Sequence, residues 1–70
     1  MKFLLIIQVC SFLTGECKPP VQSTQLYNSW YECATAAHIN GLSILSAEGV
    51  HNINQYKLAI KYGCEAINEL

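Results

Sequence analysis

The amino-acid sequence predicts one small α+β domain over residues 1–70, with a two- to three-stranded, mainly antiparallel sheet and one helix packed on one face. Three observations predict this fold: an apolar run near the start, a helix-capping motif with a helical stripe in the middle, and alternating polarity near the end. A chain of 70 residues suffices for one domain only. Its small core needs covalent staples, and the four cysteines are expected to form disulfides in an oxidising compartment.

Residues 1–15 support two interpretations. A single lysine is followed by the unbroken apolar run 3–7, which is typical of a buried first strand with a turn after it and also of a secretory signal. Gln8 and Glu16 interrupt the run well before the ~20 apolar residues that a spanning helix needs. Cleavage of a signal would remove Cys10 and leave an odd number of cysteines, which slightly favours the strand.

A helix is predicted over residues 29–48. Ser29-Trp30-Tyr31-Glu32 has the form of a capping box, in which the serine hydroxyl accepts from the glutamate amide and the glutamate reaches back. Gly49 offers a left-handed stop. Asn40-Gly41 favours a turn, because glycine costs ~1 kcal/mol within a helix; the pattern still favours one helix, kinked or straight. Pro19-Pro20 restricts the preceding segment to a loop or a short edge strand.

The last third of the chain has two periodicities. Over residues 56–65, apolar and largely polar positions alternate with a period of two, which indicates a strand. Apolar residues also recur at spacings of three and four, which indicates a helix; these are Ile53, Tyr56, Ile60, Cys64 and Ile67. Periodicity alone leaves both open.

Short motifs spread over nearly the whole chain carry a resemblance to known proteins. They are Val9-Cys10-Ser11, Thr14-Gly15-Glu16-Cys17, Pro19-Pro20, Tyr27-Asn28-Ser29, Tyr31-Glu32-Cys33, Asn54-Gln55-Tyr56 and Ile60-Lys61-Tyr62-Gly63-Cys64. In these motifs the chain resembles the small uncharacterised four-cysteine proteins of marine bacteriophages and viral metagenomes. The resemblance implies no assigned activity, and it favours a strand over residues 56–65.

The predicted topology selects the cysteine pairing. The most apolar strand belongs in the centre of the sheet, which gives the order 2-1-3 with a right-handed crossover through the helix. Cys10 and Cys17 then flank the first reversal, and Cys33 in the first helical turn lies near Cys64 at the end of the last strand. We therefore predict the disulfides Cys10–Cys17 and Cys33–Cys64, the second closing a loop of about thirty residues.

The first strand is also the predicted interaction site. Both of its faces are apolar, and a single helix hides only one face of a sheet. Phe3, Leu5, Ile7 and Val9 are expected to stay uncovered and to bind a protein partner or a second copy of the chain. Contact with a membrane surface stays open, whereas no spanning helix is expected.

Charge and spacing exclude several function classes. The net charge is −1, the four basic residues are scattered lysines and there is no arginine, which argues against nucleic-acid binding. The cysteine and histidine spacings do not fit a zinc site, and the sequence has no Cys-x-x-Cys motif. No nucleophile, base and orienting group can be identified. We therefore assign no catalytic, metal-binding or cofactor-binding residue.

These observations lead to a functional hypothesis. The chain is expected to be a non-enzymatic, phage-encoded interaction protein that is exported, periplasmic or associated with the envelope. The alternative is a minor structural component of a virion. A small thiol enzyme is the remote alternative.

Overall fold

The computed structural model describes residues 1–68, which form a three-stranded antiparallel sheet and two helices. The elements are β1 (Lys2–Ser11), β2 (Val21–Gln22), α1 (Trp30–Glu48), α2 (Val50–Tyr56) and β3 (Leu58–Ile67). The strand order is β2-β1-β3. The predicted α+β class, strand order and disulfide stapling are confirmed, and the second helix is an addition to the prediction.

β1 is the central strand because it forms backbone pairs on both sides. It pairs with β3 over ten residues, starting with Lys2 opposite Ile67. On its other side it pairs with β2, and single bridges join it to Cys17 and Tyr27. The apolar segment near the start of the sequence therefore supplies the middle of the sheet.

α1 packs on the face of β1 that was expected to stay uncovered. Leu5, Ile7 and Val9 are 1%, 4% and 6% exposed, and Phe3 packs at the edge of the same core. The expectation that this face stays uncovered is therefore wrong, since α1 covers it within the described chain. Their face is apolar along the strand, whereas the opposite face carries Gln8, so covering the apolar face removes more hydrophobic surface from water.

The start of α1 is fixed by the motif found in the sequence. Ser29 Oγ accepts a hydrogen bond from the backbone N–H of Glu32 at 3.1 Å. Glu32 Oε2 accepts one from the backbone N–H of Asn28 at 3.0 Å, just before the cap. The first bond satisfies a helix amide that has no partner within the helix, and the second holds the residue before the cap rather than the cap itself. The local sequence therefore decides where the helix begins.

α1 continues through Asn40 and Gly41 without a break. Gly41 is buried where the helix passes over β3, and a Cβ added there would lie 3.1 Å from Cγ2 of Ile60. That distance is shorter than an ordinary carbon contact. The glycine is therefore explained by the close approach of helix and strand rather than by a turn.

The two periodicities of the last third occupy different segments. The residues up to Tyr56 form α2, a short helix that the sequence pattern did not separate from the strand. β3 begins at Leu58 and ends at Ile67, two residues later at each end than the predicted range 56–65. Between them, Lys57 adopts the left-handed conformation, with φ 55° and ψ 56°, and ends the helix.

Two disulfides join the elements in the predicted pairing. Cys10 and Cys17 have Cα atoms 4.0 Å apart at the first reversal. Cys33 on α1 and Cys64 on β3 have Cα atoms 6.2 Å apart and tie the helix to the sheet. Two disulfides indicate an oxidising environment. Neither helix within residues 1–68 is both long and apolar enough to cross a bilayer.

Candidate functional site

The residues with metal-binding or nucleophilic side chains are spread over the described part of the chain. All four cysteines are in disulfides. No three histidine, cysteine, aspartate or glutamate side chains among residues 1–68 lie together as a metal site would require. His51 is exposed, and the ring of His38 packs edge-on against Tyr62 while its Nδ1 lies 2.8 Å from the carbonyl oxygen of Ala34.

A cleft of about 360 Å³ lies where the first reversal meets the end of α1 and α2. Across it, Lys18 Nζ forms an ion pair with Glu48 Oε1 at 2.6 Å. On its floor, the buried Ser11 hydroxyl donates to the carbonyl oxygen of Tyr56 at 2.5 Å and accepts from the amides of Leu13 and Thr14. These polar groups bind one another, which makes the cleft a structural junction.

β3 is an outer strand, and the hydrogen bonds of β1 show which of its groups face outward. Phe3 exchanges backbone hydrogen bonds with Tyr27, and the carbonyls of Leu5 and Val9 accept from Ser23 and Lys18. The odd-numbered residues of β1 therefore point their backbone groups away from β3, since alternate residues of a strand bond to opposite sides.

The even-numbered residues of β1 then bond to β3, and the register gives their partners, which are Ala59, Lys61, Gly63, Glu65 and Ile67. The intervening residues of β3 direct their N–H and C=O groups to the outer edge of the sheet; they are Leu58, Ile60, Tyr62, Cys64 and Ala66. No further strand lies beyond this edge in residues 1–68. Such an edge is a template for pairing with another chain.

An apolar groove of about 240 Å³ runs beside this edge. Its walls include His38, Leu42 and Leu45 of α1 and Tyr62 of β3. Leu42 is 68% exposed and Tyr62 is 38% exposed. The outer edge of β3 and this groove are continuous, and together we call them the β3 surface.

Charged residues lie on the other face of β3. The register places Lys61, Gly63 and Glu65 on the face of the sheet opposite α1, because their partners on β1 alternate with the core residues. All three are exposed. A Cβ built at Gly63 meets no atom within 4 Å, and its φ is outside the left-handed range. Within residues 1–68, neither packing nor backbone conformation therefore requires a glycine at this position.

No protein-family model, curated protein or solved structure matches this chain.

A second apolar feature lies at the tip of the first reversal. Phe12 and Leu13 are 82% and 66% exposed. The Cys10–Cys17 disulfide closes the reversal behind them, so the tip is held to the sheet covalently. The tip therefore presents two adjacent apolar side chains to solvent at one end of the molecule.

The sequence analysis did not identify the β3 surface and expected the uncovered apolar face on the first strand. A signal for it was present. The alternation over the last strand carries Lys61 and Glu65 on its polar face, and charges at alternate positions are typical of outer strands. Identifying the outer edge and the groove also requires the long-range pairing of β1 with β3, which one sequence does not reveal.

Proposed function

We propose that this protein is a non-enzymatic, phage-encoded interaction protein that is exported or associated with the envelope and docks through the β3 surface. The observation that carries the proposal is the ten-residue outer strand beside an apolar groove in a disulfide-stapled domain. Strand edges bind through main-chain hydrogen bonds, and adjacent pockets for side chains add specificity.

The proposed location is supported by the cysteines. Cytosolic thiols are kept reduced in most cells, whereas disulfides persist in periplasmic and extracellular proteins and at virion surfaces. The phage origin is supported only by the sequence motifs described above. A small thiol enzyme has the least support, because exchange would need one of the two disulfides to open and supply a thiolate.

Intact-mass and N-terminal analysis of the protein from producing cells tests the proposal. The cells are separated into cytoplasmic and envelope or exported fractions, and thiols are alkylated before any reductant is added. We expect the exported fraction to contain protein that retains β1 and is not alkylated. Its cysteines should become accessible to alkylation only after reduction. Recovery of the chain solely from the cytoplasm in fully alkylated form would overturn the proposal.

The second candidate function is a minor structural component of a virion. It is favoured by the exposed tip formed by Phe12 and Leu13, which gives the domain an apolar contact separate from the β3 surface. A structural subunit needs contacts with more than one neighbour. Mass spectrometry of purified particles checks this function, and particles without peptides of this chain would rule it out.

A further inference from the structure

The β3 surface has features that fit one particular partner. We infer that it binds a second copy of this chain, with the two β3 strands antiparallel and a two-fold axis passing beside Gly63. This inference rests on the proposed role of the β3 surface as a docking surface and names its partner. The result would be a continuous six-stranded sheet.

The hydrogen-bonding groups of the outer edge permit this arrangement. Tyr62 and Cys64 direct their N–H and C=O groups outward, as derived from the register of β1 and β3. With Gly63 opposite Gly63 of the second copy, Tyr62 lies opposite Cys64 of that copy, and these two residues exchange both hydrogen bonds. Along the rest of the edge, even-numbered residues of one strand lie opposite even-numbered residues of the other, so hydrogen-bonded pairs recur at every second position.

Charge complementarity selects the register. In this arrangement Lys61 lies opposite Glu65 of the second copy, and Glu65 lies opposite Lys61 of that copy. Both residues are exposed and lie on the same face of the sheet, so two cross-strand ion pairs form. Shifting the register by two residues in either direction puts Lys61 opposite Gly63 or Ile67, and both ion pairs are lost.

Gly63 lies on the two-fold axis of the proposed pair. Glycine within a strand is less stable than alanine, and the described residues leave open space for a Cβ there. At the two-fold axis, Gly63 faces its own counterpart in a pair without hydrogen bonds, where Cα atoms are about 4.5 Å apart. Glycine in a strand often marks the close approach of another backbone.

The helices also fit the arrangement. A two-fold axis perpendicular to the sheet leaves both copies of α1 on the same face. α1 packs over β1 and β3, since it contacts Leu5 and is bonded to Cys64. With strands about 4.8 Å apart, the two helices are then about 10 Å apart, which is the distance of direct helix packing. The exposed Leu42 and the apolar groove become buried between them.

Charge-reversal variants test the inference in the full-length, oxidised protein. Sedimentation equilibrium should show a dimer for the unmodified chain. Lys61→Glu alone and Glu65→Lys alone each create two like-charge pairs, and we expect each to raise the dissociation constant by about tenfold. An equimolar mixture of the two variants makes both pairs attractive again, so heterodimers should form with the affinity of the unmodified protein. Glu16→Lys, a charge change at the exposed first reversal, should leave the dimer unchanged.

Two further measurements keep the test independent of folding defects. Ala66→Pro removes an N–H group that faces the outer edge and bonds no strand within residues 1–68, so the variant should keep its circular dichroism spectrum and dimerise more weakly. In the dimer, the backbone amides of Tyr62 and Cys64 should exchange with solvent more slowly than in that variant.

Three outcomes would overturn the inference. They are an unmodified chain that stays monomeric at protein concentrations on the order of 1 mM, single variants that dimerise normally, and a mixture that gains no affinity. None of them changes the expected location and disulfide state, so failure of this inference is distinguishable from failure of the proposed function.

Discussion

Opening the Cys33–Cys64 disulfide should destabilise the protein more than opening Cys10–Cys17. Cys33 and Cys64 are 31 residues apart, whereas Cys10 and Cys17 are 7 residues apart. A disulfide stabilises a fold largely by restricting the unfolded chain, and the loop-entropy relation gives ~3.7 kcal/mol for 31 residues and ~2.4 kcal/mol for 7. The expected difference in the free energy of unfolding is therefore about 1.3 kcal/mol.

The environment of the cysteines increases this difference. Cys33 is fully buried in the core, whereas Cys17 is exposed. Cys64→Ser therefore leaves a hydroxyl facing a buried thiol, while Cys17→Ser changes a solvated position. A small single core supplies only ~3–5 kcal/mol, so Cys64→Ser should bring the protein close to unfolding at 25 °C.

Urea unfolding followed by circular dichroism measures both variants against the unmodified protein. The free energy of unfolding should fall further for Cys64→Ser than for Cys17→Ser. Adding reductant is the matched control, since it removes both bridges and should reduce the difference between the two variants. Equal losses, or a larger loss for Cys17→Ser, would refute the reasoning from loop length and burial.

Three further substitutions test individual contacts. Ser11→Ala removes a hydroxyl that bonds three backbone groups at 2.5–3.2 Å, and we expect a loss of ~1–3 kcal/mol in urea unfolding, with Ser46→Ala on the exposed face of α1 as the control. Gly41→Leu forces a side chain against Ile60 and should cost ~1–3 kcal/mol; a double-mutant cycle with Ile60→Ala that shows no coupling would contradict the close approach. Ser29→Ala removes the cap of α1 and should lower the free energy of unfolding by ~1 kcal/mol, an effect that a thermal melt detects and that an unchanged melting temperature would disprove.

The features that sequence reasoning predicted are those that local or additive rules control. The capping box at Ser29 needs only four neighbouring residues, and the structure contains its serine bond. The strand order follows from placing the most apolar run in the centre. That order places Cys33 near Cys64 and Cys10 near Cys17. The disulfide pairing therefore follows from the topology rather than from the spacing of the cysteines in the sequence.

The features that sequence reasoning missed depend either on a choice between nearly equal local alternatives or on long-range pairing. Both faces of β1 carry large apolar side chains, and the helix selects the face with Leu5 and Ile7. α2 was missed because its apolar spacing runs into the alternation of β3, and the residue that separates them, Lys57, has no sequence signal for a left-handed conformation. The β3 surface was missed because it exists only after β1 and β3 have paired.

The pairing of β1 with β3 also sets the timing of folding. Leu5 lies opposite Cys64 and Val9 lies opposite Ile60, so the sheet joins segments separated by most of the chain. Contacts of this separation form slowly, because the long loop must close before any of them is made. A ribosome releases β1 well before β3, and β1 has no sheet partner along its β3 side during that interval. The fold therefore forms after synthesis of the last strand, and until then the most apolar segment of the protein stays accessible to any factor that recognises an extended chain.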